Sequence, residues 1–185
     1  MIKVITGAMF SGKSYRLIEL LNQLNMNTVK IFKPNIDTRD KGIIKSRNSN
    51  QIYQALLIDD LKEISQYVDV DTKTIIIDEV QFLIGNIQEI IDLHLKGIDF
   101  IVSGLNLTSE LKPFGIMKEI MCIATDIELL NAKCRCCGNV NAEYTYSVDK
   151  DKANDILVNG NYFPICRNCL GNILNINKEG DKDER

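Results

Sequence analysis

Short apolar runs alternate with amphipathic stretches over the first 130 residues of the chain. The apolar runs predict strands over 2–5, 29–33, 52–58, 73–79 and 98–103. The spacing of apolar residues predicts helices after residue 13, over 59–68 and over 86–96, the last two with acidic or amide caps. The continuous β-branched run at 74–77 is typical of a strand buried on both faces of a parallel sheet. This alternation predicts an α/β fold, a parallel sheet flanked by helices.

The first strand leads directly into a glycine, four residues and then Gly-Lys-Ser: Gly7-Ala8-Met9-Phe10-Ser11-Gly12-Lys13-Ser14. A strand, this loop and a helix in that order are the context that a phosphate-binding loop requires. The loop amides and the helix N-terminus would bind phosphate oxygens. Lys13 would reach the outer phosphates, and the hydroxyl of Ser14 would bind magnesium. The sequence therefore predicts a P-loop (RecA-like) fold that binds a nucleoside triphosphate.

Two adjacent carboxylates, Asp78 and Glu79, stand where the buried strand 73–79 ends. In a doubly wound sheet this position lies beside the phosphate loop. An acidic residue there typically holds magnesium, which is the role expected of Asp78. Glu79 is then free to act as a general base that takes a proton from an attacking hydroxyl.

The polar stretch 35–50 has two interpretations. It is either a solvated surface loop or a flap that brings Arg39 or Arg47 to the transferring phosphate. The residue pattern alone favours the surface loop.

Four cysteines form two CxxC pairs, Cys134 with Cys137 and Cys166 with Cys169. Such pairs supply four thiolates to a structural zinc ion, a closed site without a catalytic position. Cys136 is a spare thiol between the first two ligands, and Cys122, in an apolar run, is expected in the core. We expect a nucleotide-binding domain over 1–130, a zinc-binding lobe over 131–176 and a disordered tail over 177–185.

Composition narrows the class of protein and its location. Hydrophobic residues make up 45% and charged residues 25%, the mixture of a globular protein. The net charge of −3 argues against nucleic acid as a partner. No run is suited to spanning a membrane, and the first strand begins too early for a signal peptide, so a cytoplasmic location is expected.

Together these motifs resemble the type II thymidine kinase family, with matching blocks from about residue 3 to residue 169. The blocks are 7–14, 32–34 with 37–39, 78–82, 104–105, 113–115 and the four cysteines. The resemblance implies transfer of the γ-phosphate of magnesium-bound ATP to the 5′-hydroxyl of thymidine or deoxyuridine. It also implies that the protein forms a homotetramer.

The same resemblance assigns roles to individual residues. Glu79 would be the base, Arg47 would lie near the transferring phosphate, and Lys13, Asp78 and Gln81 would serve the nucleotide side. The thymine pocket would be lined by Met9, Phe82, Leu105 and Phe114. A lasso over 158–163, with Val158, Gly160 and Tyr162, would close the zinc-binding lobe over the nucleoside.

Three departures from the family pattern concern the nucleoside side. Asn106 replaces a usual acid, Ser109 replaces a usual aromatic residue, and the lasso is shorter by a residue or two. Two other functions stay open on the residues alone: a nucleotide-gated zinc-ribbon protein that binds nucleic acid, and a P-loop ATPase or GTPase that acts on water.

Overall fold

The computed structural model describes residues 1–38, 40, 42–46, 48–148 and 160–176. Its strands are β1 (Ile2–Gly7), β2 (Val29–Pro34), β3 (Ile43–Ser46), β4 (Ser49–Gln54), β5 (Leu56–Ile58), β6 (Thr74–Ile77), β7 (Asp99–Gly104), β8 (Asp126–Leu130), β9 (Tyr144–Ser147) and β10 (Tyr162–Ile165). Its α-helices are α1 (Lys13–Leu21), α2 (Gln88–Leu95), α3 (Met117–Ile123) and α4 (Arg167–Ile173). In this part of the chain, no helix has the length and apolar character that crossing a membrane would require.

Six strands form one parallel sheet in the order β5-β2-β6-β7-β1-β8. Helix α1 packs on one face, where Leu17 and Ile18 meet Ile76 of the sheet. Helices α2 and α3 cover the other face together with a 3-10 helix at Leu61–Tyr67. Because both faces are covered, the central strands are apolar throughout, and the predicted α/β class is confirmed.

The stretch 35–50, interpreted from the sequence as a surface loop or a flap, contains regular structure in its second half. Strands β3 and β4 form an antiparallel hairpin, and Ile44 of β3 is fully buried against α1. The predicted strand 52–58 is divided at Ala55, whose amide donates to the Gly42 carbonyl at 2.8 Å. The hairpin buries so few side chains that its sequence shows little hydrophobic alternation.

The predicted helix over 59–68 is a 3-10 helix, although its cap is as expected. Asp60 and Glu63 form a capping box at its start. Residues 117–130, left without a predicted element, form α3 and the edge strand β8. Cys122 is exposed, not in the core, because α3 buries Met117 and Ile120 and turns Cys122 to its outer side.

We use the name C-terminal lobe for residues 131–148 and 160–176. In it β9 and β10 pair antiparallel, and α4 follows β10 directly. A small apolar cluster, which includes Ala142, Ile165 and Leu170, is separate from the two clusters of the main sheet. Residues 158–159 of the predicted lasso, and the predicted tail over 177–185, lie outside the described residues.

Candidate active site

The loop between β1 and α1 has backbone angles that favour glycine at two positions. Gly7 has φ +142° and Gly12 has φ +92°, both in the region that L-residues rarely adopt. A Cβ on Gly7 would also lie 2.1 Å from the Leu130 carbonyl oxygen. These two glycines therefore set the path of the loop and bring it against the end of β8.

Lys13 and Ser11 present the donors that a triphosphate needs. The Lys13 ammonium lies over the loop and donates to the carbonyls of Gly7 at 3.1 Å and Ala8 at 2.9 Å. Among the described residues, the Ser11 hydroxyl is the one buried side-chain polar atom without a hydrogen-bond partner. With the N-terminus of α1 beside them, these groups fit the phosphates of a nucleotide.

Asp78 is a buried carboxylate at the end of β6. The Ser103 hydroxyl of β7 donates to its Oδ1 at 2.8 Å. Burial, together with the charge of Glu79, raises the pKa of Asp78 to about 6, although the Lys33 ammonium and the Ser103 hydroxyl act in the opposite direction. A carboxylate with so little solvation is well suited to accept a divalent cation, so Asp78 fits the magnesium ligand expected there.

A buried ion pair lies next to this carboxylate. Lys33 and Asp37 are joined at 2.9 Å, with side chains only 3% and 2% exposed. Lys33 also donates to the Ile43 carbonyl at 3.2 Å, so it connects β2 to the start of the β3–β4 hairpin. No role of its own was predicted for Lys33; the signal in the sequence is a lysine near the end of a predicted strand.

Glu79 has an unusual backbone conformation for a glutamate. Its φ of +55° lies in the left-handed region, which costs about 1–3 kcal/mol, and residues strained in this way cluster at functional sites. The Gln81 amide donates to Glu79 Oε2 at 2.7 Å, while Gln81 Oε1 accepts the Leu105 amide at 3.0 Å. Gln81 was expected to bind the nucleotide. It joins Glu79 to the loop after β7, which was expected to bind the nucleoside.

The residues expected to line a nucleoside pocket are partly brought together. The rings of Phe82 and Phe114 meet edge to face, with centroids 5.4 Å apart. The backbone carbonyl of Asn106 accepts the Phe114 amide at 3.0 Å, and a Cβ on Gly115 would lie 2.1 Å from the Gln81 carbonyl oxygen. The loop after β7 is therefore folded back tightly onto Gln81.

Of the other predicted site residues, some lie in described elements and some lie outside the described residues. Tyr162 begins β10 and packs close to Gly160, whose added Cβ would lie 2.7 Å from the Tyr162 ring. Ser14 lies in the first turn of α1. Arg39, Arg47 and Val158 lie outside the described residues.

Thr145 is a site residue that sequence analysis did not single out. Its hydroxyl accepts the backbone amide of Met9 at 2.9 Å, and its side chain is buried. The contact joins the phosphate loop to β9 of the C-terminal lobe. The sequence Tyr-Thr-Tyr at 144–146 is typical of a strand, but it contains no information on the partner of the hydroxyl.

The four cysteines of the CxxC pairs converge in the C-terminal lobe. Their Sγ atoms all lie within 4.8 Å of one another, and those of Cys137 and Cys166 are 3.7 Å apart. Tetrahedral zinc with Zn–S bonds of about 2.3 Å separates its sulfurs by about 3.8 Å, so the cluster fits this ion.

One of these thiols, that of Cys134, has a lowered pKa. Burial of Cys134 opposes its thiolate, but backbone amides of Cys137, Cys166 and Cys136 outweigh that effect and lower its pKa to about 6. The amide of Cys166 donates to Cys134 Sγ at 3.3 Å. Such stabilisation favours the thiolate form that binds a metal.

The parallel sheet, the phosphate loop and the strand-end carboxylates define a protein of the P-loop fold. A family model described as thymidine kinase matches residues 1–170. A thymidine kinase of Mycoplasma mobile is 38% identical over 173 residues, covering 91% of this chain and 86% of that protein. Thymidine kinases of Mycoplasma genitalium and of Onion yellows phytoplasma are each 37% identical, over 84% and 93% of this chain and 74% and 88% of those proteins.

This chain belongs to the thymidine kinase family. Membership makes it a nucleoside kinase and confirms the resemblance drawn from its motifs.

Replacing Asp78 by Asn is expected to stabilise the protein at neutral pH. Between pH 3.8, the ordinary pKa, and about pH 6, the unfolded carboxyl ionises while the folded one stays protonated. The wild type therefore loses stability as pH rises through this range, and the amide variant does not. Urea unfolding at pH 7 without magnesium should show Asp78→Asn more stable by about 1–3 kcal/mol.

The pH dependence gives the control for this prediction. The advantage of Asp78→Asn should shrink at pH 4, and Asp71→Asn, at an exposed position, should show no advantage at either pH. An equal advantage at both pH values would mean that ionisation of Asp78 is not its origin.

Zinc content should distinguish the ligand cysteines from the spare one. Cys137→Ser removes one thiolate, so the protein should lose bound zinc and much of its stability; structural zinc contributes about 10–16 kcal/mol in zinc-finger peptides. Cys136→Ser, at an equally exposed neighbouring position, should retain both. Metal analysis and thermal unfolding of both variants check this, and equal zinc loss from both would contradict the assignment.

Proposed function

We propose that this protein transfers the γ-phosphate of magnesium-bound ATP to the 5′-hydroxyl of thymidine, or of deoxyuridine, in nucleotide salvage. The proposal rests above all on the two hydrogen bonds of the Gln81 side chain. This side chain bonds Glu79 on one side and the Leu105 amide on the other, so the candidate general base lies next to the candidate nucleoside pocket. That pocket lies at the same sheet edge as the phosphate loop.

On the donor side, Lys13, Ser11 and the loop amides hold the triphosphate. Bound magnesium would neutralise phosphate charge, with Ser14 and Asp78 as its protein ligands. Asp78 is ionised above its pKa of about 6, so it is ready for the cation at neutral pH. Lys33 supports this state, because its positive charge lowers the pKa of Asp78.

On the acceptor side, Glu79 accepts the proton of the 5′-hydroxyl as that oxygen attacks the γ-phosphate. Its left-handed backbone and its bond from Gln81 restrict where the carboxylate can lie. The thymine ring is surrounded by Met9, Phe82, Leu105 and Phe114. The apolar edge-to-face pair of the two phenylalanine rings would favour a flat pyrimidine.

Further parts of the proposal rest on the family resemblance. The lasso, with Val158, Gly160 and Tyr162, covers the nucleoside, and Arg47 approaches the transferring phosphate. A structural zinc on the four cysteines supports the lobe over 131–176, next to a kinase domain over 1–130. We further propose a cytoplasmic homotetramer without nucleic-acid or membrane partners.

A nucleoside panel tests the proposal. Zinc-loaded protein with magnesium-bound ATP should phosphorylate thymidine and deoxyuridine and leave purine nucleosides unchanged, as measured by chromatography of the products. Transfer to another nucleoside instead would keep the chemistry and assign Asn106 and Ser109 to altered specificity. Retained ATP binding without transfer to any nucleoside would contradict the proposal.

Glu79→Gln tests the role of the base. The amide keeps the size and one acceptor oxygen but cannot take a proton, so turnover should fall by about 100-fold or more. Binding of ATP, measured by calorimetry, should stay close to that of the wild type. Glu119→Gln, on the exposed side of α3, is the matched control and should keep full turnover. Unchanged turnover in Glu79→Gln would mean that another group accepts the proton.

A further inference from the structure

We infer that Thr145 is a positioning residue that couples the cysteine cluster to the phosphate loop, so that zinc and nucleotide strengthen each other's binding. The inference rests on the proposed function, since it takes ATP as the occupant of the loop and zinc as the metal of the cysteines. It assigns the C-terminal lobe a part in binding the phosphate donor, in addition to covering the nucleoside.

The first step is the hydrogen bond between the lobe and the loop. Met9 lies two residues after Gly7, in the segment whose amides would otherwise turn toward phosphate. Its amide donates to Thr145 Oγ1 at 2.9 Å, and Thr145 is 7% exposed. Because Met9 is half-buried, its amide cannot replace this acceptor with water at no cost, and the bond therefore restricts the conformation of the loop.

The second step connects Thr145 to the cysteines. Thr145 of β9 is paired with Pro164 of β10, two residues before Cys166. The carbonyl of Pro164 accepts the amide of Arg135 at 3.0 Å, and the amide of Cys166 donates to Cys134 Sγ. A change in the position of either cysteine knuckle would therefore move the strand pair that carries Thr145.

The third step is a second attachment at the start of the loop. Gly7 is in register with Leu130, the last residue of β8, and they approach so closely that a Cβ on Gly7 would meet the Leu130 carbonyl. Two residues later, Ala132 enters the apolar cluster of the lobe together with Cys134. The lobe thus fixes the loop at Gly7 through the chain and at Met9 through Thr145.

Coupling of this kind is reciprocal. If an ordered cysteine cluster favours the loop conformation that binds nucleotide, bound nucleotide must favour retention of zinc by the same factor. Because zinc binding and folding of such small lobes are linked, loss of the metal would loosen β9 and release the Met9 amide.

Thr145→Val tests the inference, since it removes the hydroxyl and keeps the branched shape. In zinc-loaded protein we expect affinity for a non-hydrolysable ATP analogue, measured by calorimetry, to fall about fivefold. The KM for ATP should rise by a similar factor, with a smaller change in kcat. Thr145→Ser keeps the hydroxyl and should bind the ATP analogue about as tightly as the wild type.

The matched control is Thr72→Val. Thr72 is equally buried and its hydroxyl donates to Asp69 Oδ1 at 2.7 Å, in a turn that contributes no residue to the candidate site. That hydroxyl also accepts the Asp69 amide at 3.1 Å, so this variant loses at least as many hydrogen bonds as Thr145→Val and should leave nucleotide affinity unchanged.

Zinc release gives a readout that does not depend on activity. Transfer of zinc to a chromogenic chelator should be slowed by the ATP analogue in the wild type, and less so in Thr145→Val. If nucleotide does not slow zinc release from the wild type, the inference is wrong, even where Thr145→Val fails to fold.

Two further outcomes separate the inference from the proposed function. If Thr145→Val binds the ATP analogue as tightly as the wild type does, and the analogue slows its zinc release equally, the inference is wrong. Phosphate transfer by the wild-type protein would still support the proposed function in that case. Absence of nucleotide binding to the zinc-loaded wild type would overturn both.

Discussion

The carboxyl ends of parallel strands meet at one edge of a sheet, and the candidate site depends on this constraint. β1 ends at Gly7 where the phosphate loop begins, β6 ends just before Asp78, and β7 ends at Gly104 before the nucleoside-side loop. Because β6, β7 and β1 are neighbours in the sheet, three distant parts of the sequence become adjacent. The apolar layers on both faces hold these ends in place.

Several features of this edge are unfavourable for stability taken alone. Asp78 is buried with a raised pKa, Glu79 has a left-handed backbone, and Lys33 and Asp37 form a buried ion pair. Desolvation and strain of this kind are tolerated where the surrounding packing is strong. Their concentration at the carboxyl edge of the sheet, where the phosphate loop also begins, is physical support for a catalytic role of this region.

Much of the architecture could be predicted because its signals are local. The phosphate loop, the apolar run at 74–77 and the CxxC spacing each specify a structure within a few residues. The β3–β4 hairpin was missed because Ile44 is nearly its only deeply buried side chain. The bonds of Gln81 to Glu79 and of Thr145 to Met9 could not be predicted, because each depends on tertiary contacts between separate loops.

In the proposed reaction the nucleoside, and not water, receives the phosphate. Its most direct test is to incubate zinc-loaded protein with magnesium-bound ATP and thymidine, and to quantify ADP and thymidine 5′-phosphate in the same samples. The two products should form in equal amounts, and ADP formation should stop when thymidine is omitted. Steady ADP formation without thymidine 5′-phosphate would contradict this reaction and identify the protein as an ATPase.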